Sequence, residues 1–324
     1  MEQIELGRSG LKSSALVMGS DLLGSKIDRE TTFKLLDFYV ENGGTLIDTA
    51  NMYAFWLPDC CGGESETVIG EWMKERGSRH KILVSSKLAF DYPGSKGGLS
   101  ASEIARECEK SLKRLGSDHL DIYYAHRDDL DTPQEETMAA FDKLVKAGKV
   151  RVLGASNLAV WRIAEANAVA RANGFAQYEL IQQRYTYLRP RHGADFGPQI
   201  FLNDETKAFA KQHGIGLVGY SVLLSGAYTR ADKPMPAQFA GVDTVDRLAA
   251  LNAVSAELGV SPNQVLIAWM RHSEPSVQPI IAGSKTAQLK ENIEALNIKL
   301  TAEQMKRLNT AGDPVILEAW LQPT

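Results

Sequence analysis

Eight short apolar runs alternate with segments of helical period along this chain, and no other feature narrows the choice of fold as far. The runs are Ala15 to Met18, Thr45 to Ile47, Ile82 to Ser85, Leu120 to Tyr124, Val150 to Leu153, Leu180 to Gln182, Ile215 to Val218 and Val277 to Ile281. Several intervening helices announce their starts. Ser100 with Glu103, Thr132 with Glu135, Ser261 with Gln264 and Thr301 with Gln304 have the spacing of a capping box, in which a hydroxyl and a carboxylate or amide satisfy orphan backbone donors reciprocally. Pro133 and Pro262 stand where the first helical residue belongs, a position with no hydrogen bond to lose. Behind Ser100, Ile104, Cys108, Leu112 and Leu115 recur at helical spacing, and Gly116 can end that helix.

Strands separated by helices of this length pair in parallel, because a helical crossover is the ordinary way for the chain to return in the same direction. Eight such units in 324 residues predict an α/β fold of the (β/α)8 TIM-barrel type in place of an open doubly wound sheet. The opening QIELGRSGLKSSALVMG reads as an N-terminal β-hairpin before the first full strand. With no Pro/Ser-rich linker or charge block in between, residues 1–324 read as one barrel domain. The segments 184–199 and 221–243 exceed ordinary connection lengths and are expected to be long active-site loops.

Composition decides the class of partner. A net charge of -4 and a pI near 5.9 provide no basic face for nucleic acid or an anionic membrane, which leaves a small molecule as the expected partner. Three cysteines, Cys60, Cys61 and Cys108, are too few and too oddly spaced for a disulfide framework or a four-ligand zinc site, so no metal is expected. Adjacent Cys60 and Cys61 invite a redox reading, but free cysteines are usually inert. The start MEQIELGRSG has no basic segment followed by an apolar one, and no apolar run nears the ~18 residues of a spanning helix; a cytoplasmic location is expected.

Gly214 to Gly219 match the dinucleotide fingerprint G-x-G-x-x-G, yet that loop must follow a strand and open a helix. Here Ile215 to Val218 are the strand itself, so the match is a decoy. The chemistry lies at the C-terminal ends of strands, where barrel active sites sit. Asp48 ends TLID, Tyr53 follows in the next loop, Lys87 ends ILVSSK and His126 ends DIYYAH. Carbonyl reduction needs a proton donor and groups that polarise the oxygen. Tyr53 suits the acid, with the Lys87 ammonium expected to lower its pKa, Asp48 to hold Lys87 charged, and neutral His126 to bind the carbonyl oxygen.

These motifs, IDTANMY, VSSK, YYAH and LGASN, together resemble the aldo-keto reductase family, and the similarity runs from the LGRSGL hairpin to IAGSKTAQLKEN. The resemblance implies a barrel that binds NADPH, with NADH as the alternative, and reduces aldehydes or ketones through a tetrad carried over to Asp48, Tyr53, Lys87 and His126. It implies that Ser156, Asn157 and Gln182 hold the nicotinamide amide and that Tyr220 stacks on its ring. Gly19 and Ser20, then Ser221, Leu223 and Ser225, join that cofactor set, with Gly283, Ser284, Lys285, Thr286, Gln288 and Asn292 at the adenosine end. Many NADPH-specific members carry arginine where this chain has Gln288, and the loop AFWLPDCCGGESE is longer than in many relatives.

Two further readings stay open at this stage: a cofactor-binding interaction module resembling channel β subunits, and a barrel lyase using Lys87 as a Schiff-base nucleophile. The substrate pocket is expected to involve Trp56, Tyr92, Arg127 and Arg184, within a wider mix of Phe55, Tyr185, Tyr187, Asp128 and Arg191. Aromatic faces interleaved with charges suit a polar, hydroxylated carbonyl compound such as a keto-sugar. The oligomeric state is left open.

Overall fold

All eight apolar runs become strands of a closed, parallel barrel. The computed structural model describes residues 1–313, so the end of the expected 1–324 domain lies outside the described residues. A hairpin of β1 (Gln3–Glu5) and β2 (Lys12–Ser14) comes first. The barrel strands follow as β3 (Val17–Gly19), β4 (Leu46–Asp48), β5 (Leu83–Leu88), β6 (Leu120–Ala125), β7 (Val150–Ser156), β8 (Tyr178–Arg184), β9 (Gly216–Tyr220) and β10 (Gln278–Ile281). They neighbour one another in chain order, and β10 closes against β3.

Around them run α1 (Arg29–Glu41), α2 (Glu64–Arg76), α3 (Ala101–Leu115), α4 (Gln134–Lys146), α5 (Val160–Asn173), α6 (Asp204–His213), α7 (Thr244–Leu258), α8 (Pro262–His272), α9 (Thr286–Glu294) and α10 (Ala302–Thr310). The crossover after β9 holds two helices, α7 and α8, and segment 221–243 precedes both as a long loop with two short 3-10 turns at Leu224–Gly226 and Ala237–Phe239.

Helix starts follow the expected hydroxyls with two corrections. Full capping boxes form at Ser261 with Gln264 and at Thr301 with Gln304, and Pro262 opens α8. Ser100 accepts from the Glu103 N–H, but the Glu103 carboxylate turns to Arg106 and Ser95, so only half a box exists there. At α4 the Thr132 box does not form, because the Thr132 hydroxyl donates to Asp129 and Pro133 itself becomes the cap. Gly116 ends α3 with a left-handed φ of 60°, and the inward face carries Ile104, Cys108, Leu112 and Leu115. Each such aliphatic side chain contributes about 1.5–3 kcal/mol on burial.

Two apolar layers result. The barrel interior holds Val17, Leu46, Ile122, Tyr124, Val152, Leu180 and Val218, and Leu6 of the hairpin plugs its lower end. That plug explains the decoy glycines: a Cβ on Gly216 would lie 2.9 Å from the Gly7 nitrogen, and Gly214 is the left-handed cap of α6. The larger layer lies between strands and helices. No helix among the described residues is long and apolar enough to cross a membrane, and no group there has the make-up of a metal site.

Several strands continue past their apolar runs into polar residues. Lys87, Ser156, Arg184 and Tyr220 all belong to strands, because the backbone ladder continues where side chains turn from core to barrel mouth.

Candidate active site

Asp48 pairs in register with Ser85, and Lys87 lies two residues further along β5, so Ser85 and Lys87 face the same side. The chain after β4 stays laced to β5, with Thr49 N–H donating to the Ser85 carbonyl at 2.9 Å and Asn51 N–H to the Lys87 carbonyl at 3.1 Å. A turn from Ala50 to Tyr53 then brings the phenol back over Lys87. The result is compact. Lys87 Nζ donates to Asp48 Oδ2 at 2.5 Å, to the Thr49 carbonyl at 2.8 Å and to Tyr53 Oη at 2.8 Å. Asp48 Oδ1 accepts from Ser85 Oγ at 2.7 Å and Gln182 Nε2 at 2.9 Å.

Lys87 is fully buried, and an ammonium has three donors, all of them used here. Burial pulls its pKa down while the Asp48 carboxylate opposes that shift. The phenol departs from expectation: burial first, then the Asp48 charge, hold Tyr53 well above its usual value, against the expected lowering by Lys87. Tyr53 therefore rests protonated, the form an acid must take before it reacts. His126 behaves as expected. Burial first and then the Lys87 charge hold it well below its ordinary range, so it is neutral at pH 7. Its ring meets Tyr53 edge-on at 6.0 Å and Phe90 at 4.9 Å, and its Nδ1 has no protein partner.

The expected nicotinamide set gathers beside this cluster. Ser156 and Gln182 are register partners at the ends of β7 and β8. Asn157, in left-handed backbone with φ 60°, accepts from Tyr220 Oη at 2.7 Å and donates to the His126 carbonyl at 2.9 Å. Tyr220 is thereby fixed at the end of β9, with the Arg184 guanidinium 5.7 Å from its ring centre. Gly19 pairs with Asp48, and a Cβ there would strike Ile280 at 2.8 Å. After β9, Ser221, Leu224 and Ser225 hold positive φ, and the Leu224 N–H closes the turn on the Ser221 carbonyl at 3.2 Å. Leu223 lies inside that turn. Gly283 to Thr286 lead from β10 into α9, and Asn292 is buried on that helix. Fixed amides, a tethered phenol ring and a tight positive-φ turn after β9 fit an extended nicotinamide dinucleotide.

Some expected contacts are corrected. Ser20 is buried and its hydroxyl donates to the Asp48 carbonyl at 2.7 Å, so it braces β4 from behind and is not a side-chain cofactor ligand. Tyr92 is buried, its hydroxyl donating to Glu107 at 2.7 Å and accepting from Arg114 at 3.1 Å, and does not line the substrate site. Tyr185 stacks on Trp269, and Tyr187 donates to the Leu308 carbonyl; both pack the shell against α8 and α10. Trp56, 47% exposed and edge-on to Tyr53, and Arg127, 3.8 Å from Asp91, stay at the mouth. Arg184 is tied to Gln199.

Sequence reasoning missed Ser85, which orients Asp48, and Asp21, whose negative charge acts on both Lys87 and Tyr53. The first was legible in VSSK, two residues before the lysine; the second followed directly on Gly19 and Ser20.

Comparison with known proteins points the same way. The family described as aldo/keto reductase matches residues 15–313. An oxidoreductase designated YrpG from Bacillus subtilis is 32% identical, covering 95% of each chain. An aryl-alcohol dehydrogenase from Pestalotiopsis microspora is 31% identical over 94% of this chain and 80% of its own. Norsolorinic acid reductase A of Aspergillus parasiticus is 29% identical over 94% of this chain and 79% of its own.

Proposed function

Because this chain belongs to the aldo/keto reductase family and is an NAD(P)H-dependent oxidoreductase, we propose that it reduces an aldehyde or ketone to the alcohol, with Tyr53 as the acid. The observation that carries the reading is the 2.8 Å bond from Lys87 Nζ to Tyr53 Oη. Tyr53 oxygen accepts from Lys87, and its own proton is held only by a long 3.5 Å contact to Asp48 Oδ2, so it can turn to a substrate oxygen. As that proton leaves, the phenolate forms beside an ammonium already in place, with no reorganisation needed. Asp48, held by Ser85 and Gln182, keeps Lys87 charged and aimed. Neutral His126 hydrogen-bonds the carbonyl oxygen and orients it.

The bound nicotinamide supplies the hydride, and Ser156, Asn157, Gln182 and Tyr220 would hold its ring end. Gly19 backbone, Ser221, Leu223 and Ser225 would pass along the phosphates, and Ser284, Lys285, Thr286, Gln288 and Asn292 would meet the adenosine end. NADPH is the favoured cofactor, with NADH also accepted. Lys285 supplies a cation for a 2′-phosphate, yet Gln288 Oε1 already accepts from the Ser284 and Lys285 N–H groups at 2.8 and 3.2 Å and competes for those donors. Free Cys60, Cys61 and Cys108 fit a reducing, cytoplasmic compartment.

The substrate is read as a polar, hydroxylated carbonyl compound, with Trp56 offering an aromatic face and Arg127 a donor at the rim. The lyase reading loses support because Lys87 has no free, accessible amine to attack a carbonyl. Purified protein should oxidise NADPH with hydroxylated aldehydes or ketones and prefer them to apolar ketones of similar size. No cofactor oxidation with any carbonyl would overturn the reductase reading and favour the interaction module; a clear preference for apolar ketones would overturn the substrate reading.

A further inference from the structure

Next to the catalytic cluster lies a cavity of about 720 Å³ that the four candidate catalytic residues do not line. Its walls come from three loops at the barrel mouth: 89–98 after β5, 127–131 after β6, and Pro198 from the loop after β8, with Asn157 at the inner side. It adjoins the reacting centre through shared neighbours. Phe90, between the lining residues Ala89 and Asp91, packs against His126, and Asn157 donates to the His126 carbonyl. A volume inside the ~300–1,000 Å³ range of drug-sized ligands is more than a lone small aldehyde would fill.

The cavity is built and braced. Asp129 Oδ2 accepts from Leu99 N–H at 2.7 Å and Thr132 Oγ at 2.7 Å, while its Oδ1 accepts from Asp131 and Thr132 N–H groups, so one carboxylate ties the first loop to the second. Asp128 is taken by Arg162, with Nε at 3.0 Å. Gly97 and Gly98 lie at positive φ, and a Cβ on Gly97 would lie 2.5 Å from the Ala89 carbonyl, which leaves bare backbone along one wall.

With Asp128 and Asp129 committed to the scaffold, the groups left to meet a ligand are of both signs. Asp91 and Arg127 stand 3.8 Å apart, too far for a hydrogen bond, and Lys96 and Asp131 lie exposed on the same walls. Arg162 offsets Asp128, whereas Asp129 is held only by neutral donors and keeps its charge, so with Asp91 and Asp131 set against Lys96 and Arg127 the walls are about one charge negative, which disfavours an anion. The cavity has acceptors and donors spaced around small apolar patches from Ala89, Leu130 and Pro198. That combination suits a neutral polyol whose hydroxyls both donate and accept and whose C–H face is apolar.

We propose that this cavity is a second subsite that binds a sugar-like, uncharged polyhydroxylated portion of the substrate, remote from the carbonyl. The proposal rests on the reductase reading and names the larger substrate: a carbonyl compound carrying a glycosyl or similar polyol group. The test compares 4-hydroxybenzaldehyde with 4-formylphenyl β-D-glucoside, which present the same reacting aldehyde, using NADPH and purified full-length protein. Wild type should favour the glucoside in kcat/KM by about tenfold or more, the order that one or two hydrogen bonds to charged groups contribute. In Asp91→Ala/Asp131→Ala, both exposed positions whose loss should leave folding intact, that ratio should fall towards one. Phenyl β-D-glucoside, which has no carbonyl, should compete with the glucoside substrate in wild type and lose affinity in the double variant. Equal kcat/KM for the two aldehydes in wild type, or a ratio unchanged by the double variant, overturns the subsite and leaves the reductase reading standing. If neither aldehyde nor any other carbonyl is turned over, the reductase reading fails and the subsite with it.

Discussion

Replacing Lys87 by methionine keeps the length of the side chain and removes its charge, and two separate losses follow. The first is structural: Asp48 Oδ1 keeps Ser85 and Gln182, but Oδ2 loses the 2.5 Å ammonium and faces only Tyr53 Oη at 3.5 Å. A buried carboxylate stripped of its partner costs about 3–5 kcal/mol, and the two remaining donors put the expected loss near the lower figure. The second is catalytic. Without the 2.8 Å donor from Lys87, the phenolate that forms during reduction has no cation beside it, and the Tyr53 proton is drawn towards Asp48 and away from the substrate. Loss of one such preorganised, charged donor lowers turnover by roughly 10²–10³-fold. Urea titration reads the first loss and single-turnover oxidation of NADPH the second. Adding Asp48→Asn should restore much of the stability, since an amide needs no counter-charge, and should restore none of the rate. Lys87→Met with wild-type stability and wild-type single-turnover rate would refute the ion-pair reasoning; stability restored together with rate by Asp48→Asn would refute the separation of the two roles.

Other consequences can be checked singly. His126 is held neutral by burial and by Lys87, so kcat/KM for reduction should show no step from roughly pH 6 to 7.5, and a step near 6.5 that vanishes in His126→Gln would contradict this. In the unfolded chain the same histidine takes a proton near 6.5 while the folded one does not, so stability should fall as pH drops below about 6.5, by up to about 1.4 kcal/mol per unit, and urea titrations of His126→Gln should lack that component. Lys285→Ala should raise the Michaelis constant for NADPH roughly tenfold and leave that for NADH nearly unchanged; equal effects on both would remove Lys285 from phosphate binding. Asp129→Ala should cost about 1–2 kcal/mol in urea titration, since the side chain accepts from Leu99, Asp131 and Thr132, whereas Thr132→Val, which keeps the backbone donor, should cost less.

Most of the architecture was legible because each barrel strand carries a short apolar run and several helices carry their own start signals. All eight runs form strands, and within the motif at Gly214 to Gly219 the expected strand is present, with Gly214 in addition capping the helix before it. What periodicity could not give was the polar end of each strand. Lys87, Ser156 and Tyr220 continue the backbone ladder while their side chains leave the core, so the apolar signal stops where the site begins. The helix starts that departed did so through competition from near neighbours in the chain: Asp129, three residues back, captured the Thr132 hydroxyl, and Arg106 and Ser95, three and eight residues away, captured the Glu103 carboxylate.

The site was legible as residue types at strand ends, but its electrostatics were not. Lys87 beside Tyr53 suggested a lowered phenol pKa, whereas desolvation of the phenol and the Asp48 charge outweigh the lysine. Aromatic composition likewise failed to distinguish a pocket wall from shell packing. Tyr92 is drawn away by Glu107 and Arg114, partners far along the chain that no local pattern reveals, and Tyr185 by Trp269.

Tyr53→Phe tests the proposed proton donor most directly, because it deletes one oxygen and leaves the ring against Trp56 and His126. With NADPH affinity measured by fluorescence titration and the chemical step by single turnover of a reducible aldehyde, binding should stay within about threefold and the rate should fall by at least ~10²-fold. A variant that binds NADPH and reduces the aldehyde at the wild-type single-turnover rate would contradict the account.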